Sequence, residues 1–316
     1  MTQNQAQHWS EYWSRGCLTS LPQDFAANYD GELAAFWKGH FRAAPAAGSL
    51  IDLCTGNGAI ALLAAEFART EGLDLDITAV DAATIRPDLI AGRFPDQARL
   101  LENIRFISDC RIEDLDLEAD YDLATSQYGL EYCAHEATAV RVARLLRPGG
   151  QLVLVCHSAG SDIMAFMQRE RDDYQLLEDQ AYFETLHAFL DGKSQHVAFV
   201  TRLRAVQGAL EPRYRAAESA LLRSVLEALG GILAMSAEHL QESRRHLEAY
   251  YWQLRHGMER LQDMLRVNQA LAEDPGWIRV FETAGLVLQD SGEIRYRAQH
   301  KAGDYHVFRK PGMQEH

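Results

Sequence analysis

Apolar positions along the chain follow two regimes. Between residues 50 and 157, short runs rich in branched side chains alternate with stretches of helical spacing: LIDLC (50–54), DITAVD (76–81), IRFISD (104–109), YDLATSQ (121–127) and QLVLVCH (151–157). Strand, helix, strand repetition of this kind predicts parallel strands joined by right-handed crossovers, a doubly wound α/β sheet. From residue 162 to 273 the alternation stops and the spacing is helical. EPRYRAAESALLRSVLEALGG (211–231) predicts one helix, with proline near its start and a glycine pair at its end. From Ser236 onward, Leu240, Leu247, Leu254 and Leu261 recur every seven residues, and Tyr251, Met258 and Leu265 follow the last three at i+4. That pattern predicts a single helix of about 35 residues with one apolar stripe. The stripe packs in a helical hairpin within this insertion or, alternatively, forms a homodimer interface through the 236–272 helix. The tail predicts a helix ending near Gly285, then an antiparallel hairpin completing the sheet edge.

Four segments result: an aromatic-rich N-terminal segment (1–45), an α/β core (46–160), a helical insertion (161–274) and a closing helix with hairpin (275–316). The first holds Trp9, Trp13 and Trp37 with Tyr12 and Tyr29, and ends in the small-residue linker RAAPAAGS. At 316 residues, with 47% hydrophobic and 24% charged positions, the chain can bury a sizeable core. A net charge of −14 disfavours a protein whose main task is gripping a phosphate backbone. The local cluster of Arg202, Arg204, Arg213 and Arg215 reads as a solvated face or as a basic footprint. No apolar run reaches the roughly 18 residues of a membrane span, and no signal peptide precedes the first segment, so a cytoplasmic location is expected. The five cysteines (Cys17, Cys54, Cys110, Cys133, Cys156) form no CxxC pair, which favours reduced thiols and no metal site.

Candidate chemistry concentrates at SLIDLCTGNGAIALLAAE (49–66). Gly56, Gly58 and Ala61 fit G-x-G-x-x-G/A, a turn whose glycines let the backbone bend sharply and approach a ligand. A dinucleotide pyrophosphate would be welcomed by the helix N-terminus but not by Asp52, four residues before Gly56. A ligand bearing a sulfonium and an ammonium group instead suits Asp52, through charge attraction or through its fixing the loop.

LIDLCTGNGAIAL resembles motif I of class I S-adenosylmethionine (SAM)-dependent methyltransferases. Asp81 ends the second strand in ITAVDAA, FISDCRIEDL resembles the third motif, YDLATSQYGLEY the fourth, and LLRPGGQLVLV the turn before the fifth strand. The resemblance covers about residues 46 to 160. It implies a seven-stranded, mostly parallel Rossmann-like sheet, SAM as cofactor and S-adenosylhomocysteine as product. It places Asp52, Cys54, Thr55, Gly56, Asn57 and Gly58 around the cofactor and assigns Asp81, with Ala82 beside it, to the ribose hydroxyls. Asp109 would accept from the adenine amino group, and Cys110 or Arg111 would offer a backbone N–H. Cys54 itself reads as a small filler at the strand end.

The resemblance also delivers Ser126 and Gln127 as further cofactor contacts, and Tyr128, Glu131 and His157 as catalytic candidates on the methyl side. His157 has the ordinary pKa of a general base or is a structural histidine. Tyr128 packs on the cofactor or acts in catalysis, and Glu131 orients a cationic acceptor or caps a helix. An N/D-P-P-Y signature is missing after strand 4, where T-S-Q-Y-G-L-E-Y stands, so planar amide and exocyclic amine acceptors lose support. The leading expectation is methyl transfer to O, N or S of a small-molecule acceptor, with no nucleic acid and no membrane partner. Its rivals are an RNA- or protein-directed enzyme docking through the insertion, and a SAM-binding scaffold without catalysis. The aromatic segment and the insertion are natural lids over such a pocket.

Overall fold

A computed structural model describes residues 3–20, 27–117, 120–133, 136–158, 160–297 and 300–312. Residues 21–26 of the expected N-terminal lid segment lie outside the described residues. The chain divides into two compact units, Met1–Met164 with Arg266–His316, and Ala165–Leu265.

In the first unit, the helices are α1 (Gln3–Trp13), α2 (Gly31–Ala43), α3 (Ala59–Glu71), α4 (Pro87–Arg93), α5 (Ala98–Leu101) and α6 (Glu136–Leu145). The strands are β1 (Ser49–Leu53), β2 (Asp76–Val80), β3 (Ile104–Ile107), β4 (Tyr121–Gln127), β5 (Leu146–Cys156), β6 (Val287–Tyr296) and β7 (His300–Arg309). They form one sheet in the order β3-β2-β1-β4-β5-β7-β6, the first five parallel and β7 antiparallel to both β5 and β6. The order reverses between β1 and β4, the switch point at which open α/β sheets bind ligands beyond their carboxyl ends.

Both faces of the sheet are covered, which is why its central strands read as continuous apolar runs. Along β5, Val153 and Val155 join the core containing Trp37, Phe41 and the buried residues of α3, whereas Leu152 and Leu154 join Val142 and Leu145 of α6 and Phe281 and Phe308. Helix α3 is buried almost all round, and its alanines (Ala61, Ala64 and Ala65) admit neighbours closely. It starts after Gly58 (φ 91°) and stops at Gly72 (φ 69°), both left-handed and so cheap only for glycine. The expected turn at Pro148–Gly150 lies inside β5, whose pairing with β4 shifts register there.

The second unit draws on α7 (Asp162–Asp179), α8 (Tyr182–Leu190), α9 (His196–Ala216), α10 (Ala220–Leu233), α11 (Ala237–Glu242) and α12 (Arg244–Glu273). Here two sequence readings need correction. The helix expected over 211–231 is two: Pro212 belongs to the end of α9, and α10 starts after Ser219, whose hydroxyl accepts from the Leu222 N–H at 3.2 Å. That hydroxyl satisfies a helix-start donor, which a proline only omits. The long striped helix is likewise interrupted at Ser243, between α11 and α12. Its stripe (Leu240, Leu247, Tyr251, Leu254, Met258 and Leu261) is buried within the chain, with Tyr251 edge-on to Phe183. The first unit then resumes with α13 (Arg279–Thr283), ended by Gly285 at φ 93°, before the β6–β7 hairpin. No helix among the described residues is long and apolar enough to cross a membrane.

Candidate functional site

The turn after β1 is tied in three directions. Asp52, 1% exposed, stands opposite Thr125 of β4 and accepts from the hydroxyls of Thr125 (2.8 Å) and Thr55. Its carboxyl thereby fixes the loop to the neighbouring strand, and burial pushes its pKa up to about 7. Asp81, just beyond β2, accepts from the Gly56 N–H at 2.7 Å and the Ala83 N–H at 2.8 Å, and burial holds it at about 6 against those two donors. Asn57 is fully buried. Its amide donates to the carbonyls of Trp13 (2.9 Å) and Cys17 (2.8 Å), and its oxygen accepts from the Arg86 N–H at 2.7 Å. The Asn57 side chain is therefore a clamp between α1 and the loop before α4, which leaves its backbone for any contact with the cofactor.

Gly56 (φ 56°) and Gly58 (φ 91°) adopt the left-handed geometry their spacing suggests. A Cβ at Gly56 would lie 2.5 Å from the Trp13 ring, and one at Gly58 would lie 2.8 Å from Phe106. Helix α1 thus rests directly on the glycine turn.

A cleft opens at the carboxyl ends of β1, β2 and β4. Its floor and rim include Asp52, Cys54, Thr55, Asp81 and Gln127, and its walls carry the rings of Trp9, Trp13, Tyr29, Tyr128 and Tyr132. Two carboxyls line it and, among the described residues, no Lys, Arg or His does. A second, smaller hollow lies between Cys54, Asp81, Ala82, Arg111, Glu113 and Cys133. Ser126 is buried beneath, its Oγ without a hydrogen-bond partner. Gln127 accepts from the Trp37 indole N–H at 2.6 Å.

Beyond β3 the expected adenine contacts are rearranged. Asp109 (φ 55°) is exposed, outside the lining of either hollow, and its oxygens accept from Thr84 and Ser108. The Cys110 N–H donates to the Asp81 carbonyl at 3.0 Å, so it is not the donor expected for the cofactor; Arg111 alone of the pair lines a hollow.

The methyl-side candidates form one cluster. Tyr128 (φ 55°) donates its hydroxyl to the Ala302 carbonyl at 3.0 Å and stacks on His157 with ring centres 4.7 Å apart. Glu131 accepts the His157 backbone N–H at 2.9 Å, while its other oxygen is buried without a partner, and burial raises it to about 7. Its carboxylate therefore braces the end of β5 rather than capping a helix. His157 is 6% exposed and does not reach the cleft, and burial lowers its pKa to about 4. Its Nε2 lies 3.2 Å from the hydroxyl of Tyr132, which does line the cleft. Tyr132 escaped the sequence reading, although it stands four positions after Tyr128, beside Glu131.

These buried carboxyls make stability depend on pH in an unusual sense. A free carboxyl titrates near 4 in the unfolded chain, whereas Asp52 holds its proton to about 7 in the native state. Between those values the native state binds the extra proton, so this contribution to stability falls as pH rises and levels off above about 7. His157 has the opposite sign: its folded value lies below its unfolded one, and its contribution is lost as pH falls toward 4. Asp52→Asn isolates the first effect. Urea unfolding at about pH 5.5 and about pH 8 is expected to favour the variant, relative to wild type, at the higher pH, by at most about 1.4 kcal/mol per pH unit. Equal differences at both pH values would refute the assignment.

A family model described as "Methyltransferase domain" matches residues 25–209, more than half of the chain. No curated protein matches it in sequence. Among solved structures, the geranyl diphosphate C-methyltransferase of Streptomyces coelicolor is 16% identical over 40% of this chain and 43% of its own, with a TM-score of 0.33. The chain thus spans less than half the length of that structure. The TehB-like SAM-dependent methyltransferase of Corynebacterium glutamicum is 13% identical over 98% of this chain and all 100% of its own (TM-score 0.41). A 1,6-didemethyltoxoflavin-N1-methyltransferase of Burkholderia thailandensis is 22% identical over 49% and 63% (TM-score 0.35).

Proposed function

The chain belongs to the methyltransferase domain family, and on that premise we propose that it moves the methyl group of SAM to an O, N or S atom of a small-molecule acceptor. The observation that carries this reading is the lining of the cleft: two carboxyls and five aromatic rings at the sheet's switch point, with no basic side chain among the described residues. A pyrophosphate would meet two carboxyls there, whereas a ligand carrying sulfonium and ammonium charges gains from the carboxyls and from the ring faces.

When bound, SAM supplies an electrophilic methyl carbon, so the protein's part is to align the acceptor, exclude water and receive a hydrogen bond. In this reading Asp81 holds the ribose hydroxyls; that each of its oxygens keeps a lone pair beyond its backbone bond supports the role. Trp9 and Trp13 roof the cleft, which supports α1 as a lid over it.

His157 is a positioning residue in this reading. Neutral at physiological pH, it pairs through Nε2 with the Tyr132 hydroxyl. In this reading the Tyr132 side chain, which lines the cleft, meets the acceptor, and His157 holds it in place. Such a geometry orients the acceptor without a strong base.

Incubation with methyl-labelled SAM and separate extracts of metabolites, RNA and protein tests the proposal. Label is expected in the metabolite fraction. Label in RNA or protein would overturn the small-acceptor reading, and label that never leaves SAM would overturn transfer altogether.

A further inference from the structure

Cys54 is a curious occupant of the turn. It is a non-glycine residue at φ 57°, in a conformation that costs an L side chain strain, and it lines both the aromatic cleft and the smaller hollow. Its sulfur belongs to a half-buried side chain. It lies 3.9 Å from the sulfur of Cys133, which follows the 3-10 turn Leu130–Tyr132 and lines the smaller hollow from the other side. Both cysteines are free thiols. They sit 79 positions apart in sequence, so no spacing motif announces them.

We propose that Cys54 and Cys133 are a dithiol modification site, closed to a disulfide by a hydroperoxide, and that closure weakens cofactor binding. The second half rests on the cofactor reading given above. A disulfide needs its sulfurs about 2.05 Å apart, so they must approach by roughly 2 Å. Side-chain rotation supplies part of that, and movement of the Cys54 turn toward the 3-10 turn supplies the rest. The same turn continues into Thr55 and Gly56, where Thr55 binds Asp52 and Gly56 binds Asp81. Drawing Cys54 away therefore disturbs the carboxyl that faces the ribose position, and the new bond spans one wall of the smaller hollow.

The chemistry balances in two steps. One sulfur attacks a peroxide oxygen, the O–O bond breaks, and the thiol becomes a sulfenic acid as water leaves. The second sulfur then displaces the hydroxyl of that sulfenic acid, the S–S bond forms, and a second water leaves. Two thiols lose two electrons in total, and one hydrogen peroxide is reduced to two waters. The hydrogen bond with Cys133, burial, and the nearby Asp81 and Glu131 carboxyls hold the Cys54 thiol well above its ordinary range. Closure consequently runs faster as pH rises.

The test treats the full, reduced chain with hydrogen peroxide at about pH 8.5, blocks residual thiols and maps the peptides by mass. A cross-link between the peptides of Cys54 and Cys133 is expected. S-adenosylhomocysteine affinity, by calorimetry, is expected to fall about tenfold or more and to return with dithiothreitol. Cys133→Ser and Cys133→Ala should show no cross-link, and peroxide should leave each variant's affinity at its own untreated value. Two free thiols after exhaustive treatment, or a cross-link with unchanged affinity, would overturn the proposal. If the reduced chain fails to bind S-adenosylhomocysteine at all, the cofactor reading falls and the proposed effect on binding with it, whereas the peptide map still judges the pairing.

Discussion

Asp81→Ala is expected to lower S-adenosylhomocysteine affinity by roughly thirtyfold or more, because it removes a buried, charge-assisted partner whose loss typically costs about 2–5 kcal/mol. Two effects combine. The carboxylate proposed to hold the ribose disappears, and the N–H groups of Gly56 and Ala83 lose their shared acceptor in a site only 7% exposed. The second effect also costs stability, about 1–3 kcal/mol for each donor left buried and unpaired. Asp81→Asn separates the two. It retains one acceptor oxygen for the backbone but offers neither the charge nor the second acceptor, so it should fold closer to wild type while still binding weakly. Calorimetric titration of both variants, with near-ultraviolet circular dichroism to show native packing, makes the comparison. Wild-type affinity in a folded Asp81→Asn would end the ribose assignment.

The place of Asp81 on the cleft was legible because its signal is local: an acid directly after an apolar strand, at the end of the sheet where ligands bind. Gly56 and Gly58 were legible for the same reason, since a left-handed turn between strand and helix demands glycine. The parallel, doubly wound sheet followed from alternation, with the hairpin supplying the antiparallel edge, whereas the strand order is read from the structure. What stayed hidden is carried by contacts between distant parts of the chain. Trp37 reaches Gln127 across 90 positions, and Asn57 holds the carbonyls of Trp13 and Cys17, with no periodicity to betray either. His157 was visible as a titratable residue near a strand end, yet its depth of burial was not. That depth, more than its identity, favours the structural of the two alternatives the sequence left open, a contact with Tyr132. Helix boundaries in the second unit failed where a capping serine and a proline competed as start signals.

Gly129→Ala is expected to be nearly as damaging as the loss of Asp81, although nothing in its neighbourhood marks it as special. Its backbone is not left-handed (φ −137°), so conformation alone would tolerate alanine. The obstacle is proximity: a Cβ on residue 129 would lie 2.3 Å from Cys54 Cβ and 3.2 Å from Ser126 Oγ. The first of these cannot swing aside, because a Cβ is fixed by its own backbone, here that of the glycine turn. Overpacking of this kind costs about 1–3 kcal/mol. The displaced turn should also weaken S-adenosylhomocysteine binding. The clash names its own remedy. Cys54 sits at φ 57°, where glycine is at ease, so Cys54→Gly removes the opposing Cβ and relieves the local strain. The double variant Cys54→Gly with Gly129→Ala should therefore recover most of the stability and affinity that Gly129→Ala loses. Urea unfolding and calorimetry across the four proteins of this cycle are expected to give a favourable coupling of about 1–3 kcal/mol. Additive effects would mean that the turn and the loop after β4 do not constrain one another. Coupling would explain why a cysteine can stand in this turn: the residue facing it across the switch point has no side chain.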